Sequence, residues 1–132
     1  VSWVKMVAQL NTEVTFVSKA NAMINPIDPK SGLLMVGDKG VEFREENGPG
    51  FIQIPWVNIT RIRVQMFFKG RYVRGFYFET DEDQLLEFVV DEAKDSLRAM
   101  RKYMPREKFV AQQSNLANLF KNPFKRGKKD KE

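Results

Sequence analysis

Chemistry has few places to start in this chain. Neither histidine nor cysteine occurs among its 132 residues. That removes the commonest acid/base near neutral pH, the commonest metal ligand, the thiolate nucleophile and any phosphohistidine carrier. Ser, Thr, Lys, Tyr and the carboxylates remain, and none sits in a recognisable catalytic motif, so no catalytic residue is assigned and no enzyme is expected. Asp81, Glu82 and Asp83 gather charge, but adjacent carboxylates in a tight turn lack the spacing of a calcium loop and read as solvated, with no metal. Gly37, Gly40 and Gly70 are turn glycines. No glycine-rich loop leads into a helix, so neither a nucleotide nor another cofactor is expected, and no small-molecule substrate is identified.

What these residues can do is bind. Leu116, Leu119, Phe120 and Phe124 interleave with Lys121, Lys125, Arg126, Lys128 and Lys129. Apolar anchors beside cations suit an anionic membrane surface, where aromatics insert and each basic residue near the headgroups contributes about 1 kcal/mol. The same residues suit docking on a membrane protein, and the plain alternative is a solubilising tail whose Leu and Phe fold back on the body. A second basic surface comprises Arg61, Arg63, Lys69, Arg71 and Arg74, with Phe67 and Tyr72 nearby. A nucleic-acid-binding regulator would need such cations interleaved with exposed aromatics on a concave face. Strand arginines opposite Glu79 more often form a solvated outer face, and nucleic acid is not the expected partner. Phe67, on the outward face, instead suggests contact with a partner, a second copy or the C-terminal segment.

The length suits one domain with a core that needs no disulfide, and the absence of cysteine fits a reducing compartment. No apolar run approaches the roughly 20 residues of a spanning helix, so the expectation is a cytoplasmic protein, peripheral at most at the inner face of the plasma membrane. Residues 1–5 precede Met6 and read as an N-terminal extension or a scar. Residues 6–105 read as the folded domain and 106–132 as a C-terminal segment with a basic aromatic tail. The net charge of +5 is unevenly placed. Residues 118–132 hold six cations against two carboxylates, a net of +4, which leaves +1 for the other 117 residues. The basic character belongs to the tail.

The elements that must position these surfaces are mostly strands. Asn11 to Ala20, Gly32 to Val36, Val41 to Arg44 and Phe51 to Ile54 predict four short ones. A Pro55-Trp56 corner then leads into a long strand in which Ile62, Val64, Met66 and Phe68 alternate with Arg61, Arg63, Gln65 and Phe67. A two-residue Lys69-Gly70 loop would put Phe76 and Phe78 on the face of the arginines. A three-residue loop, Lys69 to Arg71, instead sets Phe68 against Tyr72, Val64 against Phe76, Ile62 against Phe78 and Arg61 against Glu79, and is the expected register. Leu85 to Val90 predicts a last strand. Ala93, Leu97, Met100 and Met104 then recur at helical spacing, with Asp91 placed as the cap and Pro105 as the stop. Beyond it, Phe109, Val110, Leu116, Leu119 and Phe120 suggest a second, weaker helix. About seven short strands followed by one amphipathic helix predict a mainly β fold, a pleckstrin-homology-like bent antiparallel barrel with a C-terminal helix. An open sheet with the helix across it is the alternative.

Met35 to Phe76, with its MVGD, FIQIPW and FKG elements, and Phe88 to Pro105, with LRAMRKY, resemble the ManO-type family. These are small accessory proteins encoded beside mannose-class sugar phosphotransferase permeases in Gram-positive bacteria. The resemblance implies a pleckstrin-homology-like fold, a regulatory or accessory role toward the permease subunits as partners, and no catalytic residues. The missing histidine agrees, since a component that relays phosphate needs an acceptor. The fold does not import phosphoinositide binding: Lys19 is present on the first strand, but Gly32 to Val36 has no Arg or Lys.

Overall fold

The structure is a computed structural model that describes residues 9–25 and 27–113. Apolar side chains at every second position drive the first seven strands: β1 (Val14–Ala22), β2 (Lys30–Gly37), β3 (Gly40–Glu45), β4 (Phe51–Pro55), β5 (Ile59–Phe67), β6 (Tyr72–Thr80) and β7 (Leu85–Val90). Helix α1 (Ala93–Met100) follows, and a short strand β8 (Phe109–Gln113) comes last. Single 3-10 turns at Trp56–Asn58 and Arg106–Lys108 each follow a proline, whose fixed φ suits the residue before such a turn.

All eight strands form one sheet in the order β4-β3-β2-β1-β7-β6-β5-β8. The sheet is sharply bent. Phe43 of β3 and Phe88 of β7 are three strands apart in that order, about 14 Å in a flat sheet, yet their ring centroids lie 5.6 Å apart. Phe78 then bridges Phe76 and Phe88 edge-on, at 5.3 and 5.7 Å. These rings, with Leu34, Ile59, Ile62 and Met100, make the fully buried core, each side chain contributing about 1.5–3 kcal/mol by leaving water. Close strand approach at the bend is permitted by Gly75, where a Cβ would fall 2.0 Å from the Phe88 carbonyl oxygen.

The mainly β, pleckstrin-homology-like class is thus correct, with one more strand than the sequence suggests. The sheet is bent but not closed, because β4 and β8 stand at opposite ends of the strand order and are not hydrogen-bonded to each other. Residues 109–113 are not helical. They pair parallel to β5, from Ile62–Phe109 to Met66–Gln113, because that edge of β5 offers backbone groups that a strand satisfies and a helix does not.

The helix packs Ala93, Ser96 and Met100 inward. It ends at Met100 rather than running to Pro105, although Met104 remains buried. Asp91 is not its cap. Glu92 takes that position without a side-chain bond, and its N–H instead donates to the Ser18 hydroxyl at 3.1 Å, tying the helix start to β1.

Candidate interaction surface

The surface is built on the β5–β6 hairpin. Ile62–Phe78, Val64–Phe76 and Arg61–Glu79 pair as the alternation requires. Near the tip the register slips, because Gln65 pairs with Gly75 but Met66 with Val73, leaving Arg74 as the extra residue of a bulge. Phe67, not Phe68, therefore opposes Tyr72, and the loop is the four residues Phe68 to Arg71. Phe68, Lys69 and Gly70 take φ of 55°, 56° and 89°, and the turn closes through Gly70 N–H to the Phe67 carbonyl at 3.1 Å. Only the glycine adopts such a φ without steric cost.

This geometry redistributes the predicted residues. Phe67 is half-buried against the rings of Phe68 and Tyr72, at 6.2 and 5.9 Å. The bare aromatic is Phe68, 74% exposed, beside Tyr72 at 52%. Sequence alternation assigns Phe68 to the interior; the bulge and the left-handed turn, neither visible as periodicity, turn it out.

The basic patch divides. Arg63 pairs with Glu79 and reaches Gln112 at 3.3 Å, and Arg74 pairs with Glu87 at 3.3 Å. Gln65 joins this network by donating to Glu87 at 2.7 Å and accepting from Arg74 at 3.3 Å. Arg61, Lys69 and Arg71 are exposed, and among the described residues no carboxylate pairs with them. Lys94 of α1 donates to the Arg71 carbonyl at 2.8 Å, holding the tip against the helix.

Strand directions then bring the tip and the chain's exit together. β8 runs parallel to β5, so Gln113, the last described residue, lies level with Met66, one residue short of the hairpin turn. Leu116, Leu119, Phe120, Lys121, Phe124, Lys125 and Arg126 lie outside the described residues.

The turns β1–β2, β3–β4 and β6–β7 lie at the opposite end of the sheet, since β1, β3 and β6 all run antiparallel to β5. Residues 23–30, 45–50 and 81–84 carry Asp28, Glu45, Glu46, Asp81, Glu82 and Asp83 against the single cation Lys30. Lys30 is itself paired with Asp28 at 2.8 Å, a hydrogen bond and charge that raise its pKa. An open pocket of about 290 Å³ between the β1–β2 and β3–β4 turns is lined by Ala22, Ile24, Phe43, Phe51 and Ile52, with Asp28, Lys30 and Glu45 at its edge. Asp81 to Asp83 form a tight exposed turn in which the Thr80 hydroxyl accepts from the Glu82 and Gln84 N–H groups. Among the described residues no group of acidic side chains is arranged to hold a metal ion, and no helix is long and apolar enough to cross a membrane.

Solved structures similar to this chain share its fold at very low sequence identity. The C-terminal domain of an unknown protein from Leishmania infantum superposes at a TM-score of 0.59, with 10% identity over 68% of this chain and 82% of the other. The Spt16D–Pob3N heterodimer does so at 0.57, with 6% identity over 79% of this chain and 56% of the other. The linker-DH/PH domains of p115-RhoGEF reach 0.47, with 10% identity over 74% and 29%, too loose a likeness to carry an argument. No curated protein is similar in sequence. A family model described as a domain of unknown function, DUF956, matches residues 6–124.

Proposed function

The chain belongs to the DUF956 family, and on that footing we propose that it is a non-enzymatic accessory module of a mannose-class sugar phosphotransferase system, docking on the permease at its cytoplasmic face. The observation that supports this most is the parallel pairing of β8 with β5, which delivers the start of the C-terminal segment to the tip carrying Phe68, Lys69, Arg71 and Tyr72. Gln113, the last described residue, lies level with Met66 beside a tip more than 40 residues earlier in the sequence, and an apolar-plus-basic segment that follows it in sequence suits one docking end with that tip. The partner class comes from the ManO-type resemblance of Met35 to Phe76 and Phe88 to Pro105. The lack of histidine and cysteine in these 132 residues suits a protein that attends a phosphate relay without being a link in it. The nucleic-acid reading loses support, because Arg63 and Arg74 spend their charge on Glu79 and Glu87.

The test is capture of detergent-solubilised mannose-class permease by the full chain and by a chain ending at residue 114. Capture by the full chain and loss of it on truncation are expected. Failure of the full chain to capture, or equal capture by both, overturns the proposal.

A further inference from the structure

We infer that the β5–β6 tip is a lipid-facing wedge: Phe68 enters the interfacial layer of an anionic bilayer while Lys69 and Arg71 lie against the headgroups. This rests on the reading above, that the tip and the tail form the docking end, and names the surface that end meets. Phe68 is 74% exposed while its backbone holds a φ of 55°. A bulky residue in that conformation is strained, and strain at an exposed apolar residue points to a use for the side chain outside the fold. Phe67 lies tilted against this ring at 6.2 Å and is itself tilted against Tyr72 at 5.9 Å, so the Phe68 ring rises from a braced aromatic pair.

The chemistry of the neighbours chooses the occupant. Residues 68–72 hold two cations and no carboxylate; the connections after β2 and β7 at the same end add Asp38, Lys39, Asp91 and Glu92 and leave that end neutral, whereas the opposite end carries six carboxylates against one lysine. An anionic surface attracts the two cations of the tip and repels the acidic end, which orients the molecule tip-down. A bilayer needs no complementary cleft, accepts an aromatic at its interface and rewards each nearby cation. A single weak anchor gives only marginal binding, and a second signal is required. The tail supplies it, since the chain leaves β8 level with Met66 and goes on to residues 118–132, net +4.

The orientation is the reverse of one in which the β1–β2, β3–β4 and β6–β7 turns face the membrane. Those turns hold the acidic rim.

The test is co-sedimentation of the full chain with vesicles of phosphatidylcholine alone and with vesicles containing phosphatidylglycerol. Phe68→Asn is the informative variant, because asparagine tolerates the left-handed conformation and the fold is kept. Binding to the anionic vesicles only is expected, with a loss on the order of ten-fold for Phe68→Asn and a comparable loss for Lys69→Glu with Arg71→Glu. Unchanged binding of Phe68→Asn overturns the wedge. So does indifference of the full chain to anionic vesicles, and if permease capture persists in that case, the docking reading survives while the lipid surface falls. Vesicle binding without permease capture has the opposite meaning.

Discussion

Glu42 carries more of this fold than its place in the alternation of the six-residue strand β3 suggests. Its side chain is 2% exposed, and its carboxylate accepts from the Leu10 N–H at 2.9 Å, the Asn11 N–H at 3.3 Å, the Asn11 amide at 3.0 Å and the Gln53 amide at 3.0 Å. Asn11 in turn accepts from the Lys39 and Gly40 N–H groups, so one buried acid fastens the segment before β1 onto the β2–β3 turn. Glu42→Ala leaves several donors without an acceptor and is expected to cost about 2–3 kcal/mol in urea unfolding. A charged residue between Val41 and Phe43 reads in sequence as an outward position. Nothing local tells that the Leu10–Asn11 backbone will cover it.

Asp38 in the same turn is exposed to a different lever. The Thr12 hydroxyl, then the Glu13 and Thr12 N–H groups, donate to its carboxylate and hold its pKa below the usual value. A folded-state pKa depressed below the unfolded one stabilises above the unfolded value of about 3.9 and loses that stabilisation as pH falls through the folded one. Asp38→Asn is therefore expected to unfold at lower urea than the parent at pH 7, with the gap narrowing in the acid range where Asp38 protonates. A gap independent of pH would count against the ionised cap.

Among the elements, those specified by their own residues were legible and those specified by a neighbour were not. Leu85 to Val90 is the seventh strand in sequence and in structure, because its apolar run and flanking turns act locally. For β8 the sequence suggests helix, since Phe109, Val110, Leu116, Leu119 and Phe120 fit that spacing. Its conformation is imposed by the vacant edge of β5, which no window of sequence contains. The consequence is testable. A chain ending at Lys108 uncovers that edge and removes Phe109 from the core margin, and exposed edges template pairing with other chains. It is expected to be less stable and to self-associate with rising concentration in light scattering, relative to a chain ending at Gln113. The hairpin tip illustrates the same division. Core pairs such as Val64–Phe76 followed from alternation, while the bulge at Arg74 that rotates Phe68 outward arises where the pleat must meet a left-handed turn. Because that turn strains Phe68, Phe68→Asn is expected to hold or raise the thermal midpoint, not lower it, even as it removes an aromatic ring.

At the scale of the whole molecule the organising fact is segregation of charge along the strand direction, and it makes salt the diagnostic variable. The body is close to neutral, +1 over residues 1–117, and the surplus of six cations over two carboxylates sits in residues 118–132, following a strand that ends level with Met66, near the turn that carries Lys69 and Arg71. Attraction between that end and an anionic surface acts over about a Debye length, about 10 Å at 0.1 M salt and about 3 Å at 1 M, whereas insertion of an aromatic ring depends little on salt. The full chain is therefore expected to show vesicle binding that falls steeply between about 0.05 and about 0.5 M salt, across which the Debye length shrinks several-fold. A chain ending at residue 114 has lost most of the cationic surplus but kept Phe68, and should bind weakly with a shallow slope. Phe68→Asn has lost the ring but kept the charge, and should bind weakly with the full slope. Equal slopes for the full and shortened chains would mean that the tail contributes no electrostatic attraction. The separation of the two variants by slope, and not by affinity alone, is what distinguishes a two-part anchor from a generic loss of binding.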